Sequence, residues 1–165
     1  MIFTIKKGKH YSNNWFYKLT HLFNFKQELK FKVKFDESCL YNFQDEDKHD
    51  INKLFGFSIG FHHKNSLRFG WNVVDNKIII YYYNYIDGKR INEVFVSCNV
   101  NEELLFEITN PFYNEYNFTI TDLKNGTSRW AGFNIKGSLF SLKYNLWPYF
   151  GGNKTAPHNI KIELK

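Results

Sequence analysis

In the segment LKFKVKF, residues 29–35, every odd position is apolar and every even position is lysine. Successive side chains of a β-strand point to opposite faces, so this alternation predicts a strand with one face in a core and the other in water. Ten further segments carry strand signals: 2–6, 54–61, 66–74, 78–86, 90–98, 104–109, 116–121, 128–135, 138–146 and 159–164. Asp87-Gly88 and Asn125-Gly126 stand between pairs of these segments, and Asp75-Asn76 marks another turn. Such residues tolerate positive φ and close tight hairpins. No segment shows a helical period. Short strands joined by hairpins predict an all-β fold, an antiparallel β-sandwich of the jelly-roll type. At 165 residues, 1–165 is expected to be one domain.

Composition strengthens this expectation. The chain is 43% hydrophobic and 20% aromatic, with eighteen Phe and eleven Tyr, enough apolar area for a large core; intrinsic disorder is excluded. The net charge of +6 comes from lysines scattered along the chain and three arginines, Arg68, Arg90 and Arg129. A nucleic-acid binder gathers its basic residues on one face, so no specific nucleic-acid partner is expected. Cys39 and Cys98 have no metal-ligand spacing and can form at most one disulfide. The first residues lack the apolar run of a signal peptide, and no stretch is long enough for a membrane helix. The chain is therefore expected to be soluble, in a virion or the cytoplasm as encoded.

Three regions depart from a plain sandwich. FSIGFHHKNSLRFGW, residues 57–71, places His62, His63, Asn65, Ser66 and Arg68 between two strands, a density of polar groups suited to binding. Adjacent histidines on a strand point to opposite faces, so His62 and His63 make a poor chelating pair. In LWPYFGGNKTAPHNI, residues 146–160, paired glycines and flanking prolines shape a loop before the last strand. In YYYNY, residues 81–85, Tyr81, Tyr83 and Tyr85 share one face and Tyr82 and Asn84 the other. Tyrosine and tryptophan offer flat platforms with polar tips, which suit sugar rings. The acidic run QDEDKHD at 44–50 does not match a calcium loop and reads as a solvated connection.

The blocks NKLFGFS at 52–58, HKNSLRFGW at 63–71 and YFGGNKTAPHNIKI at 149–162 together resemble the concanavalin A-like lectin and glucanase superfamily. More narrowly, they are similar to small jelly-roll proteins of Bacteroidetes and their phages. The resemblance implies the fold and leaves the function open, because the superfamily holds lectins, glycosidases, lyases and non-enzymatic modules. Its laminarinase-like members carry two glutamates around an aspartate on one strand, bringing two carboxyl groups to about 5 Å. Glu102, Glu103, Glu107 and Glu115 do not have that spacing. The Arg-rich, Gln-Ile-His and Tyr-Lys patterns of the alginate-lyase branch are also missing. The resemblance places Asp where this chain has Asn159, after Pro157-His158. Asn keeps an oxygen and loses the charge that would favour a structural calcium, so no cofactor or metal is expected.

These readings predict a non-catalytic carbohydrate-binding or adhesion module. Its platforms would be Trp71, Tyr83, Trp130 and Trp147, its polar contacts Arg68 and His63, and His62, Asn65, Tyr149 and His158 complete the candidate ligand-binding set. The expected partner is a glycan or cell-surface polysaccharide. The alternative is a structural protein of a phage particle, as capsid decoration or as a tail or fibre component, which assembles with itself or with other virion proteins. A third reading is a cryptic polysaccharide lyase or glycosidase, with His63, His158, Tyr149 and Arg68 supplying a base and a charge neutraliser.

Overall fold

The computed structural model describes residues 1–23, 28–44, 46–112, 114–135 and 142–165. Eleven strands form: β1 (Ile2–Ile5), β2 (Glu28–Phe35), β3 (Asn52–Ile59), β4 (Ser66–Val74), β5 (Lys77–Ile86), β6 (Lys89–Cys98), β7 (Glu103–Phe112), β8 (Glu115–Asp122), β9 (Ser128–Asn134), β10 (Lys143–Leu146) and β11 (Ile160–Leu164). Each matches a segment read from the sequence, with ends shifted by a few residues. For the expected strand 138–146, residues 138–141 lie outside the described residues. Every pairing is antiparallel, in a six-stranded sheet ordered β1-β11-β2-β7-β8-β9 and a five-stranded sheet ordered β10-β3-β4-β5-β6. The chain is an antiparallel β-sandwich of the jelly-roll type. Asp75 and Asn76, and Asp87 and Gly88, all have positive φ and close the β4–β5 and β5–β6 hairpins.

One expectation is corrected. A short helix, α1 (Trp15–Thr20), and two 3-10 turns, Glu37–Cys39 and Glu46–His49, are present. The helix buries none of its residues, and Trp15, Phe16 and Leu19 are exposed, so no amphipathic period betrays it. No helix among the described residues is long and apolar enough to cross a membrane. Cys39 and Cys98 are buried free thiols.

The core lies between the sheets. Phe69 on β4 packs its ring 5.4 Å from Phe55 in its own sheet and 4.9 and 4.8 Å from Phe106 and Phe118 in the opposite one. On β4, Leu67, Phe69 and Trp71 point inward and are fully buried. Strand periodicity then turns Ser66, Arg68 and Gly70 to the outer face. On β3 the alternation breaks: Lys53 pairs with Gly70 but Gly56 pairs with Arg68, so β3 carries one residue more than its partner between these points. This β-bulge lets Leu54 and Phe55, neighbours in sequence, both enter the core.

Replacing Phe69 with alanine removes the ring that joins the two sheets. Equilibrium urea denaturation is expected to show a loss of about 3–5 kcal/mol; a loss near zero would contradict its central place.

Candidate functional site

On the outer face of the five-stranded sheet, small residues surround Arg68. Its neighbours two residues away on β4 are Ser66 and Gly70, and Gly56 stands opposite on β3. A Cβ at Gly56 would lie 2.0 Å from the Leu67 carbonyl oxygen, and one at Gly70 would lie 2.5 Å from Ile51 Cγ2. Close packing excludes larger side chains here, so the sheet surface stays low and a cleft of about 510 Å³ opens above it. Arg68, Lys53, Tyr83 and Tyr85 form its floor, His62 and His63 one wall, and Trp147, Tyr149, Gly151 and Gly152 another, with Tyr11 and Lys18 at the rim.

The 147–152 wall is fastened to β3 and to the N-terminal segment. Tyr149 and Lys53 exchange backbone hydrogen bonds of 2.9 and 2.8 Å. Asn52 Oδ1 accepts from the Gly151 N–H at 2.5 Å, while its Nδ2 donates to the Tyr41 hydroxyl at 2.7 Å. Asp50 accepts from the N–H groups of Gly152 and Asn153 at 3.1 and 3.3 Å. Gly151 has φ +72° and no room for a Cβ, which would meet the Lys154 carbonyl oxygen at 2.1 Å. His10 stacks on Tyr149 at 5.0 Å, holding that ring at the rim.

The floor carries two cations on one face. Lys53 Nζ donates to the Gly151 carbonyl oxygen at 3.1 Å and lies 5.0 Å from the Tyr83 ring centre and 5.8 Å from that of Tyr149. Burial, with a smaller contribution from Arg68, lowers its pKa to about 8. Burial also lowers the pKa of Arg68, to about 10. Arg68 Nη2 donates to the Trp147 carbonyl oxygen at 2.9 Å, and Nε, shielded from water, has no hydrogen-bond partner among the described residues. Among the described residues neither cation is in an ion pair, and none of the residues lining the cleft is Asp or Glu. Burial, His63 and Arg68 lower the pKa of His62. No group of three His, Cys, Asp or Glu among the described residues is placed to hold a metal.

Six of the ten residues expected to bind ligand line this cleft: His62, His63, Arg68, Tyr83, Trp147 and Tyr149. Trp147 does so without offering its ring, which stacks on Phe3 at 5.7 Å and meets Tyr17 and Phe31 edge-on. The other four lie elsewhere. Trp71 is completely buried against Phe35, Tyr41 and Phe150 and cannot be a platform. Asn65 is buried and braces a turn, its Oδ1 accepting from the Asp87 N–H at 3.0 Å. His158 Nε2 bonds the Ser38 carbonyl oxygen at 2.8 Å, bracing the chain before β11. Trp130 is 74% exposed, but on β9, the edge of the opposite sheet. Sequence reading missed Lys53 and Asp50. The break of alternation at Leu54-Phe55 is the signal for the bulge that brings Lys53 beside Arg68, whereas Asp50 meets its loop about a hundred residues away.

No protein-family model and no curated protein matches the sequence. Among solved structures, the chain is similar to an alginate lyase from Klebsiella pneumoniae, with 9% identity and a TM-score of 0.62 over 84% of this chain and 58% of that one. It also aligns with scytalido-glutamic peptidase holding a peptide-based transition-state analogue, at 10% identity and a TM-score of 0.47 over 99% and 61% of the two chains. A third alignment is with the CBM2 module of the evolved Dit of Lactobacillus casei BL23 phage J-1, at 12% identity and a TM-score of 0.44 over 99% and 68%. The chain thus spans less than two thirds of the lyase and of the peptidase. The likeness to the lyase concerns the fold and agrees with the jelly-roll sandwich described above.

Two measurements test the site's construction. Below a pH of about 8 the depressed pKa of Lys53 penalises the folded state, by about 3 kcal/mol at roughly 1.4 kcal/mol per pH unit. The penalty fades as pH rises from about 8 towards 10.5, where the unfolded chain also loses the proton. Lys53→Met is therefore expected to raise the unfolding free energy at pH 7 by about 1–3 kcal/mol, and to reduce the gain in stability seen at alkaline pH. Asn52→Ala leaves the Gly151 N–H without its acceptor and is expected to cost about 1–3 kcal/mol in the same denaturation experiment.

Proposed function

We propose that the protein is a carbohydrate-binding module whose ligand lies in the cleft between Tyr85 and Tyr149, above the largely buried Tyr83. The observation that carries this reading is the cleft itself: tyrosine rings and hydrogen-bonding groups on a rigid sheet, walled by a loop fixed through Asn52 and Asp50. Sugar rings present apolar C–H faces and a rim of hydroxyls, so they need stacking surface and polar contacts together. A glycosidase working through paired carboxyl groups needs both at the scissile bond, and the cleft lining supplies neither, which favours binding over hydrolysis. A lyase would need a base within reach of an acidic sugar carbon. His158, one of the groups expected to serve it, is away from the cleft in its bond to Ser38, which weakens that reading.

Assembly in a phage particle is the second reading. It is supported by β9, which among the described residues is an edge strand with one side of its backbone unpaired and Trp130 exposed, and by the resemblance of the sequence blocks to phage jelly-roll proteins. Sedimentation distinguishes the two: concentration-dependent self-association abolished by Trp130→Ala would favour assembly.

Binding to a broad panel of oligosaccharides, followed by calorimetry, tests the leading reading. Micromolar to millimolar affinity is expected, about 4–8 kcal/mol. Tyr149→Ala, which removes a stacking face, is expected to weaken binding by about 1–2 kcal/mol, and Trp130→Ala to leave it unchanged. Equal losses from both variants, or no glycan bound at all, would refute the cleft as a sugar site.

A further inference from the structure

We propose that the cleft selects an acidic sugar, and that the anionic substituent of that sugar is held between Arg68 and Lys53. The inference rests on the carbohydrate-binding reading and specifies its ligand class.

The bulge in β3 is the geometric origin. It sets Lys53 opposite Gly70, and Gly70 is two residues from Arg68 on the same face of β4. Lys53 and Arg68 are therefore diagonal neighbours across adjacent strands, about 7–8 Å apart at the backbone, within reach of one anion for side chains of this length. Two like charges at that spacing repel, and each is also penalised for burial. Among the described residues neither has a carboxylate partner. The nearby acid, Asp50, is engaged with the backbone of Gly152 and Asn153.

The guanidinium is incompletely satisfied. Nη2 is used by the Trp147 carbonyl oxygen, while Nε, cut off from water, donates to nothing among the described residues. Buried polar groups are nearly always paired, and a guanidinium with an orphaned N–H and no carboxylate calls for an anion that the described residues do not supply. A neutral sugar seated on this floor would displace the remaining water and leave both charges unpaired, which is unfavourable. A carboxylate or sulfate ester would accept from the part of the Arg68 guanidinium that the cleft leaves open and from Lys53 Nζ in charge-assisted bonds. Meanwhile Tyr85 and Tyr149 remain as surfaces beside the anion, while Tyr83, only 8% exposed, lies beneath Lys53. A nucleic-acid strand is a poorer fit. Its phosphates call for a basic track along the surface, whereas these cations sit together at the bottom of a hollow.

Calorimetric titrations of the full chain at pH 7 and moderate salt, with four probes, test this assignment: an oligouronate, the same oligouronate with its carboxyl groups reduced to alcohols, a sulfated neutral oligosaccharide and a single-stranded oligonucleotide. Binding of the oligouronate or the sulfated sugar is expected, and whichever binds identifies the anion. If the oligouronate binds, its reduced form is expected to be weaker by about tenfold or more. Arg68→Met and Lys53→Met are each expected to weaken the acidic ligand by a similar factor. The comparison of ligands stands even if a variant fails to fold. Equal affinity for the native and reduced oligouronate, with no binding of the sulfated sugar, would overturn the acidic assignment while leaving the carbohydrate reading intact. The oligonucleotide binding more tightly than every sugar, or no sugar binding, would overturn both.

Discussion

Strand β3 has one residue more than the stretch of β4 it faces, and much of the site follows from that surplus. Without the bulge, strict alternation would send one of Leu54 and Phe55 to the outer face. With it, both enter the core beside Phe69, and the strand resumes its alternation with Phe57 inward and Gly56 against the backbone of β4. The outer face of the sheet is then low where Gly56 and Gly70 stand and cationic where Lys53 and Arg68 stand. Core packing and cleft chemistry are two faces of the same local irregularity.

That arrangement weakens the fold in order to hold charge. Lys53 and Arg68 are both kept in surroundings that disfavour their charged forms, and the structure compensates by fixing what encloses them. The wall from Trp147 to Gly152 is bonded to Lys53, Asn52, Asp50 and His10. A wall that stiff keeps a binding geometry ready before the ligand arrives, which lowers the ordering cost of association. Catalytic and binding sites commonly hold such unfavourable charge, and it is recovered when a complementary group arrives.

Most of the sandwich was legible because its strands obey the two-residue period. The Lys30, Lys32 and Lys34 series on β2 and the inward Leu67, Phe69 and Trp71 on β4 can be read almost residue by residue, and the paired turns Asp75-Asn76 and Asp87-Gly88 fix where the hairpins close. The aromatic residues were harder, because the count of rings in a strand says nothing of which face is wet. Trp71 and Trp147 look alike as platforms in sequence; one is sealed in the core and the other stacks on Phe3. On β5 the alternation held, with Tyr83 and Tyr85 in the cleft and Tyr82 packed against Phe95 and Phe133. The helix α1 escaped notice because Trp15, Phe16 and Leu19 face outward, and the role of Asp50 because a contact closed across about a hundred residues leaves no local trace.

The guanidinium of Arg68 is the group on which the account turns, and its Nε–H resonance can be followed directly by nitrogen-15 NMR of arginine side chains. Addition of an acidic oligosaccharide is expected to shift that resonance strongly and slow its exchange with water, together with changes at Tyr83 and Tyr149, while a neutral oligosaccharide of equal length leaves it in place. An acidic ligand that binds while the Arg68 signal stays unmoved, with shifts confined to β9 or to the opposite sheet, would contradict the assignment of this cleft.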